Sequence, residues 1–382
     1  MAAPSRDDPW SVVNMVDLSP PVDCSKPYNA STLAGKTILI TGGASGLGAA
    51  FARHWAKHGS HLIIGDVNDR LGEELVAELR SMPSVTPEQV ITYQHCDVTS
   101  WTDQVALFQA AVSLSPTRSL DAVVAGAGIS ESGNLMDSSP SATLFDRPPA
   151  TIDASTPPPP LRVLAVNLTG VMYTTHLALH HLPRRPEPSS SHQEDRHLLL
   201  IASIAGLIPL PGQTEYTASK HAVMGLFRAL RGTAWTTTTT APRVRVNALC
   251  PYFVDTPILP RSAMAVLAGA GQTDLADVID AATRLAADAG IRGRALLVGP
   301  KVRVVDGTDE ALGPVRVVEG ETGRGEEERR QGVWDVYGHD YERVETFVWR
   351  YLWVLNMIRA VKGWTGFVRD LVWACLYRRG TR

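Results

Sequence analysis

The stretch Lys36-Thr37-Ile38-Leu39-Ile40-Thr41-Gly42-Gly43-Ala44-Ser45-Gly46-Leu47-Gly48 runs from an apolar segment straight into a glycine-rich turn, and a helical pattern follows. Its order predicts a strand over Thr37–Thr41 and a helix over 46–58. The glycines between them permit a tight turn and let backbone amides approach a pyrophosphate, whose charge a helix N-terminus favours. Alone, a Gly-rich strand–helix turn is a weak signal. The next apolar run strengthens it, because it ends in Asp66, eighteen residues after Gly48. An acid at that point can bond the adenosine ribose hydroxyls. It also repels a 2′-phosphate, so NAD(H) is the expected cofactor. Arg70, one helical turn further on, is the feature that would admit NADP(H) instead.

The alternation continues along the chain. Strands are expected at Thr37–Thr41, Leu62–Asp66, Val90–His95, Leu120–Ala125, Leu198–Ala202, Val244–Ala248 and Ala295–Val298. Helices are expected at roughly 46–58, 69–81, 101–114, 161–182, 216–232 and 274–290. Strands that are near-continuous apolar runs, separated by helices, imply an α/β fold: a Rossmann-type, doubly wound parallel sheet covered on both faces. This domain is placed at 35–300, after an irregular Pro- and Ser-rich arm at 1–34. A charged, Gly-rich linker is expected at 301–342 and a basic, aromatic helical extension at 343–382. Three polar segments fall between helices and strands and read as surface insertions: 130–160, 184–196 and the run Thr236–Thr240.

The 382 residues are 44% hydrophobic and 20% charged, an ordinary globular balance. The net charge of -3 gives no reason to expect nucleic-acid binding. Cys24, Cys96, Cys250 and Cys375 have no paired spacing, which argues against a disulfide framework or a metal site and suits a reducing compartment. The N-terminus lacks the apolar run of a secretion signal. No stretch approaches the ~20 apolar residues of a membrane span. The expected location is cytoplasmic.

The candidate chemistry lies in Tyr216-Thr217-Ala218-Ser219-Lys220, thirteen residues after Ser203. Residues four apart share a helix face, which sets a phenol beside an ammonium and predicts a lowered tyrosine pKa. With a hydroxyl from Ser203, the group could move a proton on or off an oxygen whose carbon gives or takes hydride. Singly, each residue has an ordinary structural use: a strand-end Ser bonds local backbone, and a helical Tyr packs with a wet tip.

These motifs together resemble the short-chain dehydrogenase/reductase family over about residues 35–300, and within it the NAD-dependent 15-hydroxyprostaglandin dehydrogenase-like members. The resemblance rests on Thr41–Gly48, Asp66, Asp97-Val98, Ala125-Gly126-Ala127-Gly128, Asn167, Ser203, Tyr216-x-x-x-Lys220 and the segment from Pro251 to Thr256. It implies Tyr216 as acid/base, Lys220 as its electrostatic partner and ribose contact, Ser203 as the substrate-oxygen ligand, and Asn167 as holder of a water reaching Lys220. It further implies cofactor contacts from Thr41, Gly42, Ser45, Gly46, Leu47, Gly48, Asp66, Asp97, Val98, Ala127, Gly128, Pro251, Val254 and Thr256. Asp97 reads equally as a turn acid before a helix. Two positions depart from the family pattern: Ala125 stands where Asn is usual, and Tyr252 where Gly is usual.

The resemblance implies an oxidoreductase interconverting a secondary alcohol and its ketone, with residues 257–275 as an apolar lid and pairing into dimers or tetramers through 161–182 and 216–232. Two alternatives remain: an NAD(H)-binding sensor or membrane-associated scaffold without turnover, and an NADP(H)-dependent ketoreductase. Residues 343–382 carry eight Lys or Arg against two acids, together with four Trp. That pattern suits a helix lying on a lipid surface, or one packed against protein.

Overall fold

The computed structural model describes residues 18–131, 153–156, 158–159, 161–184, 195–210, 212–232, 244–258, 271–309, 313–318 and 328–337. The expectations for 343–382, for the threonine run and for most of the insertions 130–160 and 184–196 lie outside these residues. So does most of the lid, at 259–270.

The sheet begins with β1 (Thr37–Thr41), β2 (His61–Asp66), β3 (Ile91–His95) and β4 (Ala122–Ala125), and continues with β5 (Arg196–Ile201), β6 (Val244–Pro251) and β7 (Ala295–Asp309). They lie in the order β3-β2-β1-β4-β5-β6-β7, all parallel where they pair. Chain order reverses between β1 and β4, the place where a crevice opens at the carboxyl ends of such strands.

Side chains alternate across each strand, and both sides are apolar. Ile38, Ile40, Leu62 and Ile64 enter one core with Phe51 and Trp55 of α1 (Gly46–Lys57), Leu75 and Leu79 of α2 (Asp69–Arg80), and Val278 and Leu285 of α6 (Leu275–Ala287). Leu39, Ile63 and Val123 enter the other, against Leu107 and Phe108 of α3 (Trp101–Leu114) and Val223 and Phe227 of α5 (Thr214–Leu230). Helix α4, in the same layer, runs as Arg162–Leu164, a π-helical turn Ala165–Gly170, and Val171–His181. Period-two strands covered twice leave no polar face, which is why their sequences read as unbroken apolar runs.

The described residues of 301–342 form strands, not the linker expected from their charge. β7 continues to Asp309, and antiparallel β8 (Gly313–Val317) and β9 (Arg329–Val336) pair with it. Leu297 lies opposite Trp334 and Val304 opposite Arg329. The charges that suggested a linker pair across strands, Arg329 with Asp306 at 2.5 Å and Arg303 with Glu328 at 3.1 Å, while Val304 and Val305 are fully buried. The arm, too, is held from residue 18: Val22 N donates to Asp335, Tyr28 OH to Asp280, and Leu33 is buried.

Candidate active site

The glycine turn leaves β1 where β4 ends. Gly42 has φ +68°, and a Cβ there would stand 2.5 Å from Ala127 Cα. A Cβ at Gly48 would stand 2.3 Å from the Gly42 carbonyl oxygen. Larger residues at either place would push the turn off the strands. Ser45 precedes α1 in extended conformation, and Leu47 packs on the core beneath. Thr256, following β6, faces Gly46 across the crevice, its Cβ 3.7 Å from where a glycine Cβ would lie. The turn's amides, the start of α1 and this facing segment make a cradle that fits a dinucleotide pyrophosphate.

Asp66 ends β2 and accepts from the Ala44 amide at 3.0 Å, so its carboxylate is locked against the turn. Arg70 is tied to Glu74 at 2.8 Å on the exposed side of α2. Asp97 accepts from the Thr99 amide and hydroxyl, each at 2.8 Å, and its own amide donates to Asp103. This is the turn role. The neighbouring Val98 is buried, with its side chain against Gly170.

Ser203, Tyr216, Lys220 and Asn167 converge. Ser203 lies two residues past β5 and caps the short 3-10 helix Ile204–Gly206, Tyr216 and Lys220 lie in the first turns of α5, and Asn167 sits in the π-helical turn of α4. Such wide turns are frequent where a helix must present a functional side chain. Ser203 Oγ accepts from the Ala205 amide at 3.2 Å and lies near enough to Tyr216 to favour its phenolate. Lys220 Nζ donates to the Ile201 carbonyl at 3.1 Å and lies 5.6 Å from the Tyr216 ring centre. Asn167 Oδ1 accepts from the Ile129 amide, while its Nδ2 donates to the Ile129 carbonyl and to Ser219 Oγ. Gly128 lies between, where a Cβ would come within 3.5 Å of both Asn167 Oδ1 and Lys220 Nζ.

The electrostatics differ from what spacing alone suggests. Burial raises the Tyr216 pKa, and the neighbouring Ser203 hydroxyl opposes it only partly. Burial also brings Lys220 down to about 8. Desolvation, which residue spacing does not report, sets the direction of both shifts.

Pro251 ends β6 and Val254 is buried after it. The Tyr252 amide donates to the Val298 carbonyl, and its ring meets Phe253 edge-on at 4.7 Å. Ala125 fills a buried position. Neither departure intrudes among Ser203, Tyr216 and Lys220. Ser219, not singled out from the sequence, bonds the Tyr216 carbonyl at 2.7 Å and links it to Asn167. Its place between Tyr216 and Lys220 was the only available sign.

A crevice at the strand-order reversal, a pyrophosphate cradle and two neighbouring hydroxyls beside a buried lysine define a nicotinamide-dependent oxidoreductase. The model of the family described as short chain dehydrogenase matches residues 36–265, and the chain belongs to that family. It is 36% identical over 278 residues to 5'-hydroxyaverantin dehydrogenase of Dothistroma septosporum (strain NZE10 / CBS 128990), covering 70% of this chain and 86% of that protein. It is 34% identical to an NADP-dependent dehydrogenase, clz5, of Cochliobolus lunatus over 58% of this chain and 72% of the relative. Among solved structures, levodione reductase shares the fold with a TM-score of 0.53 at 21% identity, over 69% of this chain and 96% of that one. The protein is an alcohol/ketone oxidoreductase. No helix among the described residues is long and apolar enough to cross a membrane.

Proposed function

We propose that the protein interconverts a secondary alcohol and its ketone with NAD(H), using Tyr216 as acid/base. The observation that carries this reading is the neighbouring Ser203 and Tyr216 hydroxyls with buried Lys220 behind them. When bound, the nicotinamide supplies hydride transfer. The chain's own residues do the rest. Ser203 and Tyr216 hold the substrate oxygen, and Tyr216 donates its proton to a ketone or receives one from an alcohol. Lys220 stabilises the phenolate formed when that proton leaves. Asn167 fixes the segment at Ile129, which keeps the wall between Gly128 and Lys220 close.

The preference for NAD(H) over NADP(H) is supported by Asp66, whose carboxylate is fixed at the turn, and by Arg70, whose guanidinium is occupied by Glu74. 5'-Hydroxyaverantin is the first substrate to test, because a relative is named for it. Self-association is supported by Met172 of α4, which is exposed on the helix expected to pair.

The experiment is NAD⁺ reduction by purified protein with 5'-hydroxyaverantin and a panel of lipophilic secondary alcohols, alongside Tyr216→Phe. Turnover that disappears in the variant is the expected result. No turnover of any alcohol or ketone, despite measured NADH binding, would favour a sensor and sink the proposal.

A further inference from the structure

The segment after β4 does more than bound the cofactor crevice. Its residue Glu131 is buried, and Glu131 Oε1 accepts from the Tyr216 backbone amide at 3.0 Å. In return, the Glu131 amide donates to Gln213 Oε1 at 3.3 Å. Gln213 is the residue preceding α5, and its side chain makes no capping bond to the helix itself. The two bonds therefore reproduce the reciprocal logic of a capping box, with the acid supplied from a distant loop instead of the helix's own third position. A carboxylate suits this place, since it meets both an orphan amide and the positive end of the helix.

The clasp also has a second half. The Tyr216 carbonyl is held by Ser219 Oγ at 2.7 Å, and Ser219 is bonded by Asn167, which grips Ile129. The backbone of Tyr216 is thus fixed at both its amide and its carbonyl, and both lines of support lead back to residues 129–131. Ser130 extends the hub by donating to the Ile258 carbonyl, beyond the segment that faces the glycine turn.

We propose that Glu131 is a positioning residue for Tyr216, setting where the phenol stands by capping α5 from the loop after β4. This deepens the reading of Tyr216 as acid/base and rests on it. Glu131 touches no reacting atom. Its effect is to hold the first turn of α5, and so the Ser203–Tyr216 geometry, against fraying.

The test uses the full chain with Glu131→Ala and Glu131→Gln, the second keeping an acceptor oxygen of similar reach. Amide hydrogen exchange is followed at Tyr216, NADH binding by fluorescence, and steady-state turnover on whichever alcohol the wild type oxidises. Glu131→Ala is expected to exchange the Tyr216 amide about five- to tenfold faster and to lose about tenfold in kcat, with KM for NAD⁺ unchanged. Glu131→Gln is expected to restore most of both. Unaltered exchange at Tyr216 in Glu131→Ala overturns the proposal, whether or not a substrate is in hand. So does a loss of NADH binding that parallels the loss of kcat, which would mark general destabilisation. If the wild type turns over no alcohol, the functional reading fails separately, and the exchange measurement still decides the capping role.

Discussion

Lys220 holds its ammonium 5.6 Å from the centre of the Tyr216 ring while donating to the Ile201 carbonyl at 3.1 Å, so the cation is anchored to the end of β5. A flexible lysine could not act as a fixed partner for a phenolate. One tied to strand backbone and buried can, because the low-dielectric surroundings strengthen its field. Removing the phenol oxygen by Tyr216→Phe is expected to lower kcat by about 10²–10⁴-fold, the usual range for a positioned acid/base group. NADH binding should stay within a few-fold of the wild type. Stopped-flow turnover with fluorescence titration checks both.

The parts of this site that depend on order and spacing were legible in the residues. Near-continuous apolar runs marked β1, β2 and β4, and Gly42 and Gly48 marked the turn because only glycine fits there. The Tyr216–Lys220 interval placed both on one face of α5. What depends on burial or on partners far along the chain was not legible. The Tyr216 pKa moves opposite to the spacing argument because desolvation is a property of the fold. β8 and β9 were obscured because Asp306, Arg303, Glu328 and Arg329 neutralise one another across strands. The π-helical turn around Asn167 has the composition of an ordinary helix, so nothing in its sequence announces the extra width.

The proposed preference for NAD(H) rests on Asp66, and one substitution tests it. In the proposed NAD(H) site its carboxylate, locked by the Ala44 amide, would meet the ribose and repel an added 2′-phosphate. Asp66→Ser removes the repulsion and a charge-assisted acceptor for ribose hydroxyls. The NADH dissociation constant is expected to rise by about tenfold or more, and that for NADPH to fall, since hydrogen bonds to charged groups are worth about 1.5–3 kcal/mol. Calorimetric titration of both cofactors measures it. An unchanged ratio would remove Asp66 from the ribose site.

Lys220 should leave a mark on stability as well as on rate. Burial brings its pKa from 10.5 to about 8, so the folded protein holds this proton less tightly than the unfolded chain does. At neutral pH both states are protonated, and the folded state bears the full cost of the buried charge, about 3 kcal/mol. Between about pH 8 and 10.5 the unfolded chain binds more protons, so this group's contribution to stability rises with pH. Lys220→Met removes the ionisable group. The Tm difference between variant and wild type should move in the wild type's favour from pH 7 to pH 10. A constant difference would mean that Lys220 is not desolvated.

Far from the crevice, Asp195 joins Arg245 and Lys36 at the start of β5, with Arg245 also donating to the carbonyls of Leu285 and Ala286 at the end of α6. Burial alone would raise the Asp195 pKa. The Arg245 hydrogen bond and charge, with Lys36 behind them, outweigh it and hold the carboxyl well below its usual range. Asp195→Asn leaves two cations facing a neutral amide, and breaking a buried pair in this way costs about 3–5 kcal/mol. The depressed pKa also fixes the sign of the acid dependence. The folded state keeps Asp195 ionised while the unfolded chain takes up a proton near pH 3.8, so the stabilisation is complete above that pH and is lost as the pH falls further. Urea unfolding at neutral pH should give a midpoint well below wild type for Asp195→Asn. On acidification below pH 3.8, the gap between the two proteins should close. A gap that widens on acidification would mean that the carboxyl is not held ionised by Arg245 and Lys36.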